Sequence, residues 1–570
     1  MTLTVPRRAA ELVPTEPGIM DPVPFPDSSM VGPDQALAVA CHALEYDSPT
    51  YSARTVLARW QRVTLVLVVL AIVLGLIFAT RITGIVLVTS AIVAYLWALL
   101  FRLVIFQRGA RGGYMMRISD EEAFSLPDAA LPTYTVLVPA FKEPLVGELV
   151  EALEQIDYPR NKLDIRLLLE ASDTETIAAA RTLRPRPHLT IIVVPKADPQ
   201  TKPKACNYGL VTARGQLCTI FDAEDKPDPL QLRRAAVALH RLGPTYACIQ
   251  ARLGFYNSRQ NLLTRWFTLD YGTWFANMLP GLVAIDAPIP LGGTSNHFRV
   301  SALKQVGAWD PWNVTEDADL GLRLRRAGYQ VSVLDSTTLE EANPDPINWI
   351  RQRSRWYKGY LQTFLVHLRR PRIVARQLGW RAVTDMMIFV AGTPLLSALN
   401  GVFWLITLVW FTSKSTAVAA LFPPGVYHLG LLCLLLGNLS IMYMNLYTAR
   451  SMERPDLLLP ALLAPGYWVL MWVAAVKAVV QLVRNPSYWE KTAHGLHQPS
   501  EQQAKKQEAQ PALAPQSPTP RPQIGLQQPV GIPLSQPTFA PQQLTPEPVP
   551  AQPLSRVSTS QTTQARGPAR

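Results

Sequence analysis

Leu217-Cys218-Thr219-Ile220-Phe221-Asp222-Ala223-Glu224-Asp225-Lys226-Pro227-Asp228-Pro229 is a short apolar run that breaks into carboxylates and then into an Asp-Pro pair. A run of this length, rich in branched and aromatic residues and closed by turn formers, predicts a buried strand. Asp228 before Pro229 makes an N-cap with proline at the first helical position. The pattern repeats upstream. Apolar runs at 134–138, 163–169 and 189–194 alternate with helical periodicity at 145–156, 175–183 and 204–213. Such alternation implies a mainly parallel sheet covered on both faces, whose ligands sit beyond the carboxyl ends of the strands. Asp222, Glu224 and Asp225 stand at one of those ends.

On both sides of this α/β region the chain turns strongly apolar. Residues 63–79 and 82–106 are each long enough to cross a hydrocarbon layer of about 30 Å as a helix, and only a very short turn carrying Arg81 separates them. Further apolar stretches follow at 380–411, 426–447 and 457–483. The first of these is long for one pass and short for two, with a break at Gly392 to Pro394, which suits an interfacial helix leading into a span. Both flanks of the last look cytoplasmic, so either it re-enters or the count of spans differs by one.

The formal charge of +12 raises nucleic acid as a partner, since Lys and Arg neutralise phosphates. Its distribution argues against that. Arg54, Arg59, Arg62, Arg102, Arg108, Arg111, Arg369, Arg370, Arg372, Arg376 and Arg381 crowd beside the apolar segments, as on the cytoplasmic flanks of membrane helices. The N-terminus and the middle domain are therefore expected on the cytoplasmic side, with the lipid bilayer and not nucleic acid as partner. Cys41, Cys206, Cys218, Cys248 and Cys433 have no paired spacing for zinc or disulfides, which fits a reduced setting. No apolar run follows a basic start, so the N-terminus is not a signal peptide. The expected organisation is a flexible lead at 1–58, a transmembrane hairpin at 59–108, the α/β domain at 130–346, interfacial helices at 347–378, a second membrane region at 379–485 and a disordered Pro/Gln-rich tail at 498–570.

Several residues could carry chemistry. Asp222, Glu224 and Asp225 offer hard oxygen ligands suited to magnesium or manganese, although an acidic turn is the plainer alternative. Asp173, after the 163–169 run, could accept hydrogen bonds from a nucleoside or simply cap the next helix. Thr315-Glu316-Asp317-Ala318-Asp319 opens an amphipathic helix. Asp317 is the candidate general base there, while a helix dipole alone would also favour those acids. Gln352-Arg353-Ser354-Arg355-Trp356 lies on a basic, aromatic helix at about 347–368. Gln352, Arg355 and Trp356 can share one face and present an amide, a guanidinium and a flat ring; the same composition suits a helix lying on a membrane. Lys202 and Lys204 precede a helix whose N-terminus would attract phosphate. The loop Gly292-Gly293-Thr294-Ser295-Asn296-His297 allows close backbone approach.

In their order, Val138-Pro139-Ala140-Phe141-Lys142-Glu143, Asp173, the Asp222 cluster, Thr315-Glu316-Asp317 and Gln352-Arg353-Ser354-Arg355-Trp356 resemble the family 2 glycosyltransferases, in their membrane-bound, cellulose-synthase-like branch. The stretch Trp489-Glu490-Lys491-Thr492-Ala493-His494-Gly495 resembles bacterial exopolysaccharide transferases of that branch. The resemblance implies an inverting transferase with a Rossmann-like GT-A domain between transmembrane helices, using a nucleotide diphosphate sugar with Mg2+ or Mn2+. By position, Asp173 and Lys204 would meet the nucleotide, Asp222, Glu224 and Asp225 the metal and diphosphate, and Asp317 would be the base. Gln352, Arg355 and Trp356 would hold the glycan acceptor and the diphosphate. The chain departs from the family in having Ser172-Asp173 for two adjacent acids, and Asp222-Ala223-Glu224 for Asp-x-Asp. Nothing resembles the cyclic-dinucleotide-binding domain of some relatives.

The leading expectation is polymerisation of glucose or N-acetylglucosamine from a UDP-sugar into a β-linked polysaccharide, extruded across a bacterial plasma membrane. The alternatives are transfer of one sugar to a lipid, use of GDP-mannose, or a non-catalytic export scaffold. Accessory subunits are not legible in the sequence.

Overall fold

The computed structural model describes residues 32–143 and 146–490. The expected tail at 498–570, the first part of the lead and the stretch from Lys491 lie outside those residues.

A seven-stranded sheet forms the centre: β1 (Tyr134–Ala140), β2 (Leu163–Glu170), β3 (Leu189–Val194), β4 (Leu217–Ile220), β5 (Tyr246–Phe255), β6 (Asn296–Arg299) and β7 (Gln330–Glu340). The spatial order is β3-β2-β1-β4-β6-β5-β7. β1 pairs in parallel with β2 and β4, and β5 with β7, while β6 runs antiparallel to both β4 and β5. Alternate residues of β1 point to opposite faces. Tyr134, Val136 and Val138 enter one core with Leu149, Leu153 and Leu232; Leu137 enters the other with Cys206, Leu210 and Ile220. This two-faced burial explains why β1 and β2 read as continuous apolar runs. The domain is a GT-A type α/β fold, and helices apolar enough to span a membrane flank it.

Five described helices are long and apolar enough to cross a membrane: Arg59–Phe78, Thr80–Ala110, Pro371–Ser413, Pro424–Ser451 and Ala464–Arg484. The third bends earlier than its sequence suggests. Gly379 takes φ 79°, so residues 371–378 form a separate basic helix before the apolar one begins. At Gly392 to Pro394 the helix continues, and a widened π-type turn at Met387–Ala391 accommodates the proline. Both ends of Ala464–Arg484 meet the Pro346–His367 helix: Tyr467 packs on Trp349, and beyond the C-terminus the Tyr488 carbonyl accepts from Lys358 Nζ at 2.5 Å. The segment thus packs on that helix as well as on the Gly392–Ser413 part of the preceding apolar helix.

The flexible lead expected before residue 59 needs correction over its second half. Pro33–Asp47 is a helix that buries Ala36, Ala40, Cys41 and Leu44 against the Lys202–Val211 helix. Asn207 Nδ2 donates to the carbonyls of Ala40 and Trp309, and the Ala53 amide donates to Asp310. Arg369 donates to the carbonyls of Pro49, Thr50 and Ser52. The apolar spacing of that helix outweighs the prolines around it.

Candidate active site

Above the carboxyl ends of the strands lies one cavity of about 610 Å³, lined by Asp222, Glu224, Asp317, Gln352, Arg355 and Trp356 among others. Elements distant in sequence meet here. Lys202 Nζ is 2.5 Å from Asp222 Oδ1 and donates to the Gly293 carbonyl at 3.1 Å. Gly293 lies so close to the Glu316–Arg326 helix that a Cβ there would stand 3.5 Å from Asp317 Oδ2 and 4.0 Å from Lys202 Nζ. The Gly292-Gly293 loop therefore brings backbone to within reach of the candidate base.

Asp317 Oδ1 accepts the Ala318 amide at 2.8 Å, which leaves Oδ2 toward Gly293. Burial raises the Asp317 carboxyl, against the opposing pull of the Ala318 amide, Lys202 and Arg355. Its neighbour Glu316 is pushed up to about 8 by burial and by the Asp317 charge. Burial disfavours the Lys202 ammonium, but Asp222 and Glu316 outweigh it and raise the lysine above its ordinary value. These three groups form one electrostatic unit.

The pair predicts a pH profile. Asp317 must lose its proton above the ordinary aspartate value near 3.9, and Glu316 ionises beside it near pH 8. Single-turnover rates are expected to rise with pH from an acid limb and to change again near pH 8. The upper transition is expected to vanish in Glu316→Gln; its persistence there would remove the assignment. Because the Glu316 pKa is raised in the folded protein, its contribution to stability is full below the unfolded value of about 4.3 and is lost as pH rises through about 8.

On the Pro346–His367 helix, Gln352, Arg355 and Trp356 all reach the cavity. Gln352 Oε1 and Arg355 Nε are buried there with no hydrogen-bond partner. Burial lowers the Arg355 pKa, while Glu316, Asp317 and Asp222 act to raise it. The Arg355 guanidinium lies 4.6 Å from the centroid of Trp489, which also lines the cavity. Trp356 packs on Tyr271 and Phe267 at centroid distances of 6.3 and 6.0 Å. Arg353, 4.9 Å over the Trp356 ring, is anchored by Asp270. Gly359 lets the helix touch the Asp317 element, since a Cβ there would lie 2.4 Å from Thr315.

Three expected site residues stand elsewhere. Lys204 is fully buried, paired with Glu170 at 2.8 Å, and does not line the cavity. Two residues along a helix is a turn of about 200°, so Lys202 and Lys204 point opposite ways and Lys202 is the one at the cleft. Asp225 is 1% exposed and closes its own turn, accepting the Asp222 amide at 2.8 Å. Asp173 accepts the Thr176 amide as an N-cap and the Lys142 amide at 2.5 Å, so it orders the loop after β1 without lining the cavity. Glu340, at the end of β7, does line it, with Oε1 buried and unpartnered. Its place at a strand end beside the Asp222 cluster was the available signal.

A divalent cation suits this donor set. Among the described residues no three His, Cys, Asp or Glu side chains converge into a complete cage. Asp222 and Glu224 could supply one or two oxygens, the number magnesium and manganese take from protein when diphosphate oxygens supply others. Burial first, and then the neighbouring carboxylates, push the Asp225 and Glu340 carboxyls well above the usual range, so a cation bound here would favour their ionised forms.

Residues 135–298 match the family described as Glycosyl transferase family 2, and residues 217–475 match Glycosyl transferase family group 2. A curated relative, the beta-monoglucosyldiacylglycerol synthase of Synechocystis sp., is 27% identical over 402 residues, covering 67% of this chain and 80% of its own. Glucomannan 4-beta-mannosyltransferase 7 of Arabidopsis thaliana is 24% identical over 277 residues, 47% of this chain and 49% of its own. Among solved structures, the mannosyltransferase PcManGT of Pyrobaculum calidifontis, in complex with GDP-Man and Mn2+, aligns with a TM-score of 0.45 and 18% identity over 69% of this chain and 99% of that one. Two family matches that together run from the first strand through the helices beyond the cleft make this chain the bearer of a glycosyltransferase family 2 domain, and the protein a hexosyltransferase.

Proposed function

We propose that the protein transfers a hexose from a nucleotide diphosphate sugar to an acceptor that enters the cleft from the membrane, with inversion at the sugar carbon. One observation carries this reading: the cavity holding Asp222 and Asp317 continues between the apolar helices and ends partway along them. It is lined by Tyr95, Leu99 and Arg102, by Thr393 to Asn400 and by Ile441 to Asn445, and by nothing from residues 80–94, 402–413 or 424–440. Among the apolar helices themselves, Gly401 is packed under Trp472, where a Cβ would stand 2.1 Å from the ring, and Gly437 faces Tyr95. A cavity lined by only part of each helix suits an acceptor seated at a fixed depth.

In this reading Asp317 Oδ2 takes the proton of the acceptor hydroxyl, whose oxygen attacks the anomeric carbon as the bond to the diphosphate breaks. Arg355 and Lys202 balance the charge arriving on the leaving diphosphate. Asp222 and Glu224 would hold a divalent cation, which when bound would supply Lewis-acid neutralisation of the same diphosphate. Trp356 and Trp489 offer flat faces to sugar rings. The reading takes the cleft to face the cytoplasm of a bacterium, and the basic flanks of the apolar helices support that orientation.

A second reading is the polymer synthase that extrudes its product. It is favoured by the aromatic and amide lining of the inner cavity, where Trp468, Ser397, Asn400 and Asn445 resemble a carbohydrate path more than an acyl-chain slot. Product length separates the two. Full-length protein in nanodiscs is incubated with labelled UDP-glucose, UDP-N-acetylglucosamine or GDP-mannose and manganese. Glycolipid bearing one sugar is the expected product; labelled polymer without glycolipid overturns the first reading in favour of the second.

A further inference from the structure

Arg102 is the one feature of the inner cavity that neither reading above uses. It sits on the Thr80–Ala110 helix, seven residues before Gly109, whose α-carbon is packed so tightly on the catalytic domain that a Cβ would lie 1.8 Å from the Asn277 carbonyl. At about 1.5 Å per residue the guanidinium group is carried by a position roughly 10 Å deeper than that contact. It lines the cavity. Its Nη2 donates to Thr393 Oγ1 at 2.5 Å, its guanidinium carbon lies 6.0 Å from the centroid of the Phe389 ring, and Nε is buried with no partner.

A charged side chain on a membrane helix ordinarily pairs with an opposite charge or serves a ligand path. Among the described residues Arg102 has no ion pair. The polar groups that line the cavity from the same apolar helices, Tyr95, Thr393, Ser397, Asn400 and Asn445, are uncharged, and Asp270 is committed to Arg353. The missing complement is thus an oxyanion, for which a guanidinium offers two parallel donors. It is a different anion from the donor's diphosphate, which Arg355 and Lys202 serve. Tyr360, on the helix that carries Arg355, lines the same cavity as Arg102 and Asp317.

We propose that Arg102 binds the phosphodiester of a lipid acceptor whose headgroup hydroxyl is presented to Asp317. This rests on the membrane-acceptor reading of the same cavity and narrows its substrate to glycerophospholipids with a free headgroup hydroxyl. The donor loses its sugar to that hydroxyl oxygen, the hydroxyl proton passes to Asp317, and the phosphodiester is unchanged.

The test uses the full-length protein in lauryldimethylamine oxide micelles, which carry neither phosphate nor hydroxyl, with saturating labelled donor. Phosphatidylglycerol supplies both hydroxyl and phosphate, dioleoylglycerol the hydroxyl alone, and phosphatidylmethanol the phosphate alone. Phosphatidylglycerol is expected to exceed dioleoylglycerol in kcat/KM by about tenfold or more, as one charged contact supplies, and phosphatidylmethanol is expected to inhibit competitively. Arg102→Gln is expected to raise the KM for phosphatidylglycerol and to abolish that inhibition while the donor KM stays. Arg102→Lys, which keeps the charge, is expected to retain part of the preference and to report that the bundle folds. Equal use of the two lipids by the unmodified protein overturns the proposal, as does an equal loss for both lipids in Arg102→Gln. Polymer with no glycolipid from any lipid overturns the membrane-acceptor reading and this inference together.

Discussion

Asp317→Asn is expected to lower the transfer rate by ~10²–10⁴, the range for loss of a positioned general base. The amide is isosteric with the carboxylate, so its oxygen still accepts the Ala318 amide and the helix start is preserved. What disappears is the ability to hold a proton at Oδ2, the atom facing Gly293. Donor affinity should stay, because Lys202, Arg355, Asp222 and Glu224 remain in place. Single-turnover release of nucleoside diphosphate gives the rate, and calorimetry with a UDP-sugar gives the affinity. A rate equal to that of the unmodified protein would place the base elsewhere in the cleft.

Asp319→Ala should cost the most stability of any substitution near the site, about 3–5 kcal/mol. Asp319 is 0% exposed and lies 2.7 Å from Arg323 Nε and 2.9 Å from His367 Nε2. Removing it strands a guanidinium that is itself fully buried and still donates to the Val306 carbonyl. Burial alone would raise the Asp319 carboxyl, yet Arg323 and the His367 bond hold it below its ordinary value. Its stabilising contribution is therefore present above the unfolded value of about 3.9 and is lost as pH falls. Thermal unfolding in detergent checks this. Joint replacement of Asp319 and Arg323 by leucine should restore much of the loss, since a buried pair exchanged for apolar side chains is often neutral. An unchanged melting temperature for the single variant would mean that the pair carries no weight.

The strands and the acids at their ends were legible because each rests on local pattern. Leu217 to Phe221 followed by Asp222 needs no tertiary information, and neither does the helix start holding Asp317. Which way a side chain points within an element is another matter. Lys202 and Lys204 differ only by a helical rotation, and the pairing of Lys204 with Glu170 depends on a strand 34 residues away. Asp225 falls in the same acidic run as Asp222, but a tight turn folds its carboxyl back onto the Asp222 amide. Arg102 reads as one more basic flank until the packing of three apolar helices turns it inward. The Pro33–Asp47 helix did carry a signal, with Ala36, Ala40, Cys41 and Leu44 on one stripe, which the surrounding prolines masked.

That N-terminal helix has a consequence for how the enzyme meets its substrate. The chain just before the first span grips the catalytic domain through Asn207 and Asp310, and Gln61 and Trp60 at the span's start donate to the Leu365 and Arg369 carbonyls. These contacts tie Asp317 to the first apolar helix from several sides. Under the membrane-acceptor proposal the protein would then work as a depth gauge: hydroxyls at one level of the lipid headgroup layer would come within range, and chemically identical ones a few ångströms higher or lower would be passed over.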